Sequence, residues 1–76
     1  MPLLDRRSRP ATAAQCELLR LVSIGCSNKE IAARLGVSEP AIKKRLFALM
    51  RRYEVPNRAA LVRVAIYAGL IDPRHT

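Results

Sequence analysis

Between Ser27 and Leu46 the chain reads S-N-K-E-I-A-A-R-L-G-V-S-E-P-A-I-K-K-R-L, two short helical patterns with Gly36 at the bend between them. Ser27 is a natural N-cap with Glu30 three residues on. Ser38 repeats the cap before Glu39, Pro40 and Ala41, where proline is tolerated in a first helical turn. Both helices therefore have marked starts. Ala32 is small, as the near contact between crossing helices requires, while Ile31, Leu35, Val37 and Ile42 supply the apolar wedge between them.

Two short helices crossing steeply over a turn of roughly 3–4 residues form a helix-turn-helix, whose second helix reads DNA. Here that second helix carries Lys43, Lys44 and Arg45 in a row. At about 100° per residue, Ile42, Leu46, Leu49, Met50 and Tyr53 gather on one arc. Lys44, Phe47, Ala48 and Arg51 then centre on the opposite face, flanked by Lys43 and Arg45. From Lys43 to Arg52 there are five cations and no acid, whereas a solvated helix usually mixes both signs. Small Ala41 and Ala48 between the charges give a surface suited to a groove about 12 Å wide. Phe47, on the wet side, has two readings: it touches a thymine methyl, or it folds back on the domain or packs against another protein.

Size limits what surrounds this pair. Seventy-six residues make one domain, and a chain this short buries only about 60% of its unfolded surface, so a three- or four-helix core is the realistic extent. The formal charge of +8 favours a polyanionic partner, nucleic acid or an anionic membrane surface, without choosing between them. No apolar run approaches the roughly 18 residues of a membrane span, and the start lacks the apolar core of a secretion signal, so the expectation is a cytoplasmic protein with no membrane partner. Cys16 and Cys26, with only His75 besides, form no metal-ligand set; they read as reduced structural cysteines, a redox pair being the alternative. Glu17, Glu30, Glu39 and Glu54 fall on separate elements, Asp5 and Asp72 near the ends, and no nucleophile–base pair or phosphate-binding glycine loop occurs. The chain thus reads as a non-enzyme without cofactors.

Along the chain, residues 1–11, with Arg6, Arg7 and Arg9, read as a basic flexible arm or linker, 12–71 as an all-α, four-helix domain, and 72–76 as a tail. Thr12, with Gln15 in the box position, caps a helix over about 13–24 that Gly25 stops. The next two helices cover about 28–35 and 39–53, and Asn57 caps a fourth over about 58–68, ended by Gly69. That last helix is apolar over a wide arc. Leu61, Val64, Ala65 and Ala68 define one side and Ala59, Val62, Ile66 and Leu70 a second, with Arg63 and Tyr67 as polar interruptions. The second stripe is to be covered either by a copy of itself, giving a two-fold dimer, or by another domain of a longer protein.

From Thr12 to Ile71, 60 of the 76 residues, the chain resembles the LuxR-type (GerE-type) helix-turn-helix domain of bacterial transcription regulators. The match is carried by G-C-S-N-K-E-I-A-A-R-L-G-V-S from Gly25, A-I-K at Ala41–Lys43, and V-P-N-R-A-A-L-V from Val55, then Ala65 and Gly69-Leu70. The resemblance implies that helix three enters the major groove, that the start of helix two holds phosphates, and that helix four pairs two protomers. By position, Lys43, Lys44 and Phe47 match the family's base-contacting sites, and Ser27, Asn28, Lys29 and Ser38 its backbone contacts. Departures are Ala14-Gln15 where the family has an Arg-Glu pair, Ala41 for a common Thr and Arg45 for a common His. The A-I-K-K-R-L stretch also looks like the promoter-reading domain of sigma factors, but the fourth helix favours the LuxR type.

The leading expectation is a sequence-specific, dimeric regulator of double-stranded DNA. Lys43, Lys44 and Phe47 read base edges, and Lys29, Arg45, Arg51 and Arg52 grip phosphates. The competing one is a protein-interaction module that contacts RNA polymerase or a regulator through Phe47 and helix four.

Overall fold

Four polar side chains fix where the helices begin. Thr12, Ser27, Ser38 and Asn57 all have extended backbone, and each accepts from the amide three residues on, so an otherwise orphaned donor of the first turn is satisfied. At the first two, Gln15 and Glu30 reach back to the cap's own N–H at 2.9 and 2.8 Å, completing the capping boxes. A computed structural model describes residues 11–72 and Arg74, in which the helices are α1 (Ala13–Ser23), α2 (Asn28–Leu35), α3 (Glu39–Arg52) and α4 (Arg58–Tyr67), with no strand among the described residues. The all-α, four-helix expectation is met, and three of the helices end one residue sooner than the sequence suggested. The basic stretch holding Arg6, Arg7 and Arg9, and Pro73 and His75, lie outside the described residues.

The helices stop in one common way. After α1, α2, α3 and α4 the residues with positive φ are Gly25 (92°), Gly36 (69°), Glu54 (56°) and Gly69 (75°). In each case the next amide, of Cys26, Val37, Val55 or Leu70, donates to a carbonyl five residues back, at 2.9–3.1 Å. This is the Schellman turn, which occupies the last free carbonyls of a helix and sends the chain back over it. Cys26 is buried, and Val37, Val55 and Leu70 lean on the core, so each turn ends in an apolar plug.

One core unites the helices. Leu18, Leu19, Leu21 and Val22 of α1, Ile31 and Ala32 of α2, Ile42, Leu46 and Leu49 of α3, and Leu61 and Ala65 of α4 are all buried, and no polar or charged described residue is. Leu19, Ile31 and Ile42 are completely covered; burial of such a side chain stabilises by about 1.5–3 kcal/mol. α2 packs most extensively on α3, and buried Ala32 on α2 permits that approach. α1 and α4 back the pair, so the opposite side of α3 is left outward.

Helix four departs in part from the expected two stripes. Ala59 and Ile66 are exposed, but Val62 and Leu70 pack partly against the core. The reason is local: Val62 lies about 60° round the helix from buried Ala65, and Leu70 lies beyond the Gly69 turn, which folds it inward. Tyr67, read as an interruption, is 96% exposed and joins Ala59, Arg63 and Ile66 on the outward face.

Candidate nucleic-acid interface

Because Ile42, Leu46 and Leu49 anchor α3 inward, its helical period leaves Lys43, Lys44, Arg45, Phe47, Ala48 and Arg51 exposed. Phe47 keeps 63% of its surface open and is not folded back on the domain. Its burial elsewhere is to be sought in a partner. Lys43, Lys44, Arg45 and Arg51 make no ion pair with any described residue. Fourteen residues extend α3 about 21 Å, enough to span a groove of about 12 Å with a cationic face.

Arg52 is placed differently from the other cations. It is half-buried, lies 5.2 Å over the Tyr53 ring, and donates through Nη1 to Gln15 Oε1 at 3.2 Å. It therefore turns toward α1 and away from the outward ridge. Gln15 serves both α1's capping box and this link. Its oxygen is thus held by two donors, Thr12 N–H and Arg52.

Grooves border the ridge on both sides. One, about 510 Å³, lies between α3 and the starts of α2 and α4, with Lys43, Phe47 and Met50 on one wall and Asn28, Arg58 and Leu61 on the other. The second, about 390 Å³, separates Arg45 and Ala48 from Ala14 and Gln15 of α1. Lys29, next in sequence to Asn28 of the first groove, is exposed. The side-chain oxygens of Ser27 and Ser38 are already engaged as caps, at 3.1 Å from Glu30 N and 3.2 Å from Ala41 N. What the α2 start offers outward is thus its first-turn amides, at Asn28 and Lys29, together with the positive end of the helix dipole.

Arg58 was not legible as part of this site. It donates through Nη1 to Asn28 Oδ1 at 2.5 Å and through Nη2 to the Cys26 carbonyl at 2.7 Å, tying the start of α4 to the start of α2. The signal was present: a cation at the first position of a helix opposes the dipole, so it needs a partner elsewhere. Two carboxylates, Glu30 and Glu17, are engaged as acceptors. The Ser27 N–H and hydroxyl hold Glu30 below the usual carboxylate range, and a hydrogen bond from Arg20 lowers Glu17. Cys16 and Cys26 are free thiols. Among the described residues no group of His, Cys, Asp or Glu is placed to hold a metal, and no helix is long and apolar enough to cross a membrane.

A tight bihelical unit with a cationic outward second helix, backed by two further helices, defines a DNA-binding helix-turn-helix domain of the transcription-regulator class. Residues 11–65 match the GerE model, described as bacterial regulatory proteins of the luxR family, and the chain belongs to that family. It is 37% identical over 70 residues to the HTH-type transcriptional regulator AlkS of Alcanivorax borkumensis, covering 92% of this chain and 8% of that protein. Similarity to AlkS of Ectopseudomonas oleovorans is 40% over 60 residues, 79% of this chain and 7% of the relative. With the transcriptional regulatory protein MctR of Rhizobium johnstonii it is 29% over 69 residues, 91% and 32% of the two chains. The chain thus spans less than a third of the length of these relatives.

Proposed function

We propose that this chain binds double-stranded DNA sequence-specifically in the cytoplasm, as the DNA-reading part of a transcription regulator that works by binding and not by catalysis. α3 lies in the major groove. Lys43, Lys44 and Phe47 face base edges, Arg45 and Arg51 flank them on phosphates, and the Lys29 side chain, the first-turn amides at Asn28 and Lys29 set by the Ser27 cap, and the start of α3 at Ser38 hold the backbone on either side. Arg52, engaged with Gln15, supports α3 in place of a phosphate contact. A second copy pairs through the outward face of α4, centred on Ala59, Arg63, Ile66 and Tyr67. The observation that carries the reading is that Lys43, Lys44, Arg45 and Arg51 stand exposed, with no ion pair to any described residue, on one face of a helix whose other face is the core.

Reversal of one of those charges tests it. Lys44→Glu keeps the fold, since Lys44 is exposed, and is expected to abolish duplex binding with the helical circular dichroism unchanged. Wild-type affinity falls with salt, with a logarithmic slope of about −0.9 per phosphate neutralised, and Lys29→Ala lowers that slope by about one unit. Affinity that survives Lys44→Glu would remove α3 from the reading role. Recovery of a protein partner after nuclease treatment, with no duplex bound, would move the function to protein interaction.

A further inference from the structure

The ridge and the two grooves beside it share a chemical property that charge alone does not express: what they turn outward donates hydrogen bonds or is apolar. From Pro40 to Arg52, α3 contains no Asp, Glu, Asn, Gln, Ser or Thr. Glu39 precedes this run, one turn before Lys43 and about 140° round the helix from Lys44. The two amide side chains that line the grooves could each have supplied an acceptor. Asn28 Oδ1 already accepts from Arg58, and both lone pairs of Gln15 Oε1 are taken by Thr12 N–H and Arg52, so Gln15 offers outward only its NH2 group.

Base pairs in the major groove differ in what such a surface can satisfy. Guanine offers two adjacent acceptors, N7 and O6, and thymine an acceptor and a methyl, whereas the amino groups of adenine and cytosine need an acceptor from the protein. Lys43 to Phe47 advances about 6 Å along the helix axis, about two base steps of 3.4 Å. We propose that the half-site read by α3 is a core of about three base pairs in which Lys43 and Lys44 take guanines and Phe47 takes a thymine methyl. No position under the ridge depends on an amino group of adenine or cytosine. This rests on the DNA-reading function above and gives it a substrate: half-sites that present guanines to Lys43 and Lys44 and a thymine methyl to Phe47, selected because α3 from Pro40 to Arg52 carries no acceptor side chain.

Selection from a random duplex pool by the wild-type chain, followed by base analogues in the recovered site, tests the assignment. Replacing the core thymine by deoxyuridine, which removes only the methyl, is expected to weaken wild-type binding about fourfold and Phe47→Ala binding not at all. Replacing a core guanine by 7-deazaguanine removes the N7 acceptor and is expected to weaken binding about fivefold or more. Lys44→Gln introduces an acceptor and is expected to move the selected base at its position to adenine. Both substituted residues are exposed, and unchanged helical circular dichroism confirms that the variants are folded. A core made of A·T pairs alone, or one indifferent to both analogues, overturns the proposal while leaving DNA binding standing. A pool that shows no enrichment overturns both.

Discussion

Gly36 offers a clean measurement of what the turn between α2 and α3 requires. Its φ of 69° and ψ of 34° place it in the left-handed region, where a residue with a Cβ costs about 1–2 kcal/mol more than glycine. A Cβ built at this position meets nothing within 4 Å, so replacement by alanine adds backbone strain without a clash. Alanine also narrows the unfolded ensemble, which returns about 0.4–1 kcal/mol. The difference is a net loss of about 1 kcal/mol, or about 4–8 °C in melting temperature for a domain of this size. Urea denaturation followed by circular dichroism at the helical band reads it directly: Gly36→Ala lowers the midpoint with an unchanged slope. Gly36→Asn loses less, because asparagine visits this region more readily. Stability of Gly36→Ala equal to wild type would refute the conformational argument, and a loss above about 3 kcal/mol would mean that steric contact contributes as well.

Arg58→Ala removes both hydrogen bonds between the starts of α4 and α2. It should destabilise the domain by about 1–3 kcal/mol in the same denaturation assay, with Arg58→Lys recovering only part because a single ammonium does not reproduce the two-pronged geometry. Equal stability of wild type and Arg58→Ala would show that the bridge contributes nothing. Glu30 contributes to acid sensitivity. Its folded pKa lies below the unfolded value, so its contribution is complete above the ordinary carboxylate range and is lost as pH falls through the lowered value; Glu30→Gln, which keeps an acceptor for Ser27 N–H, should flatten the stability–pH curve there. An identical acid limb in the variant would contradict this. Tyr67→Glu should leave stability within about 0.5 kcal/mol, since the side chain is 96% exposed, yet reduce the stoichiometry on a two-half-site duplex from two chains to one in analytical ultracentrifugation. A two-chain complex that persists would displace Tyr67 from the pairing face.

The elements of this fold were legible because each has a local cause. Ser, Thr and Asn caps at all four starts, box residues at two of them and glycines at three of the stops marked the helices to within a residue at either end, and the period of Ile42, Leu46 and Leu49 fixed which side of α3 faces out. What escaped the sequence depends on the chain returning on itself. Glu54 takes a left-handed conformation with no glycine to mark it. The Gln15–Arg52 and Arg58–Asn28 bonds join residues 37 and 30 positions apart, and neither separation leaves a periodic trace. For the same reason Arg52 read as one more outward cation, and Leu70 as part of helix four's free stripe. A count at 100° per residue cannot register a turn that folds the next residue inward.

The four apolar plugs make the connectors intolerant of a change in length. Surface links usually accept an inserted residue at modest entropic cost, but here Cys26, Val37, Val55 and Leu70 each sit a fixed step beyond a left-handed residue. One added or deleted residue at such a joint would withdraw a hydrophobic stopper from its socket and rotate the following helix against its neighbours. Variation in a domain built this way is channelled into substitutions on α3's wet side, where recognition can be rewritten while the frame keeps its spacing.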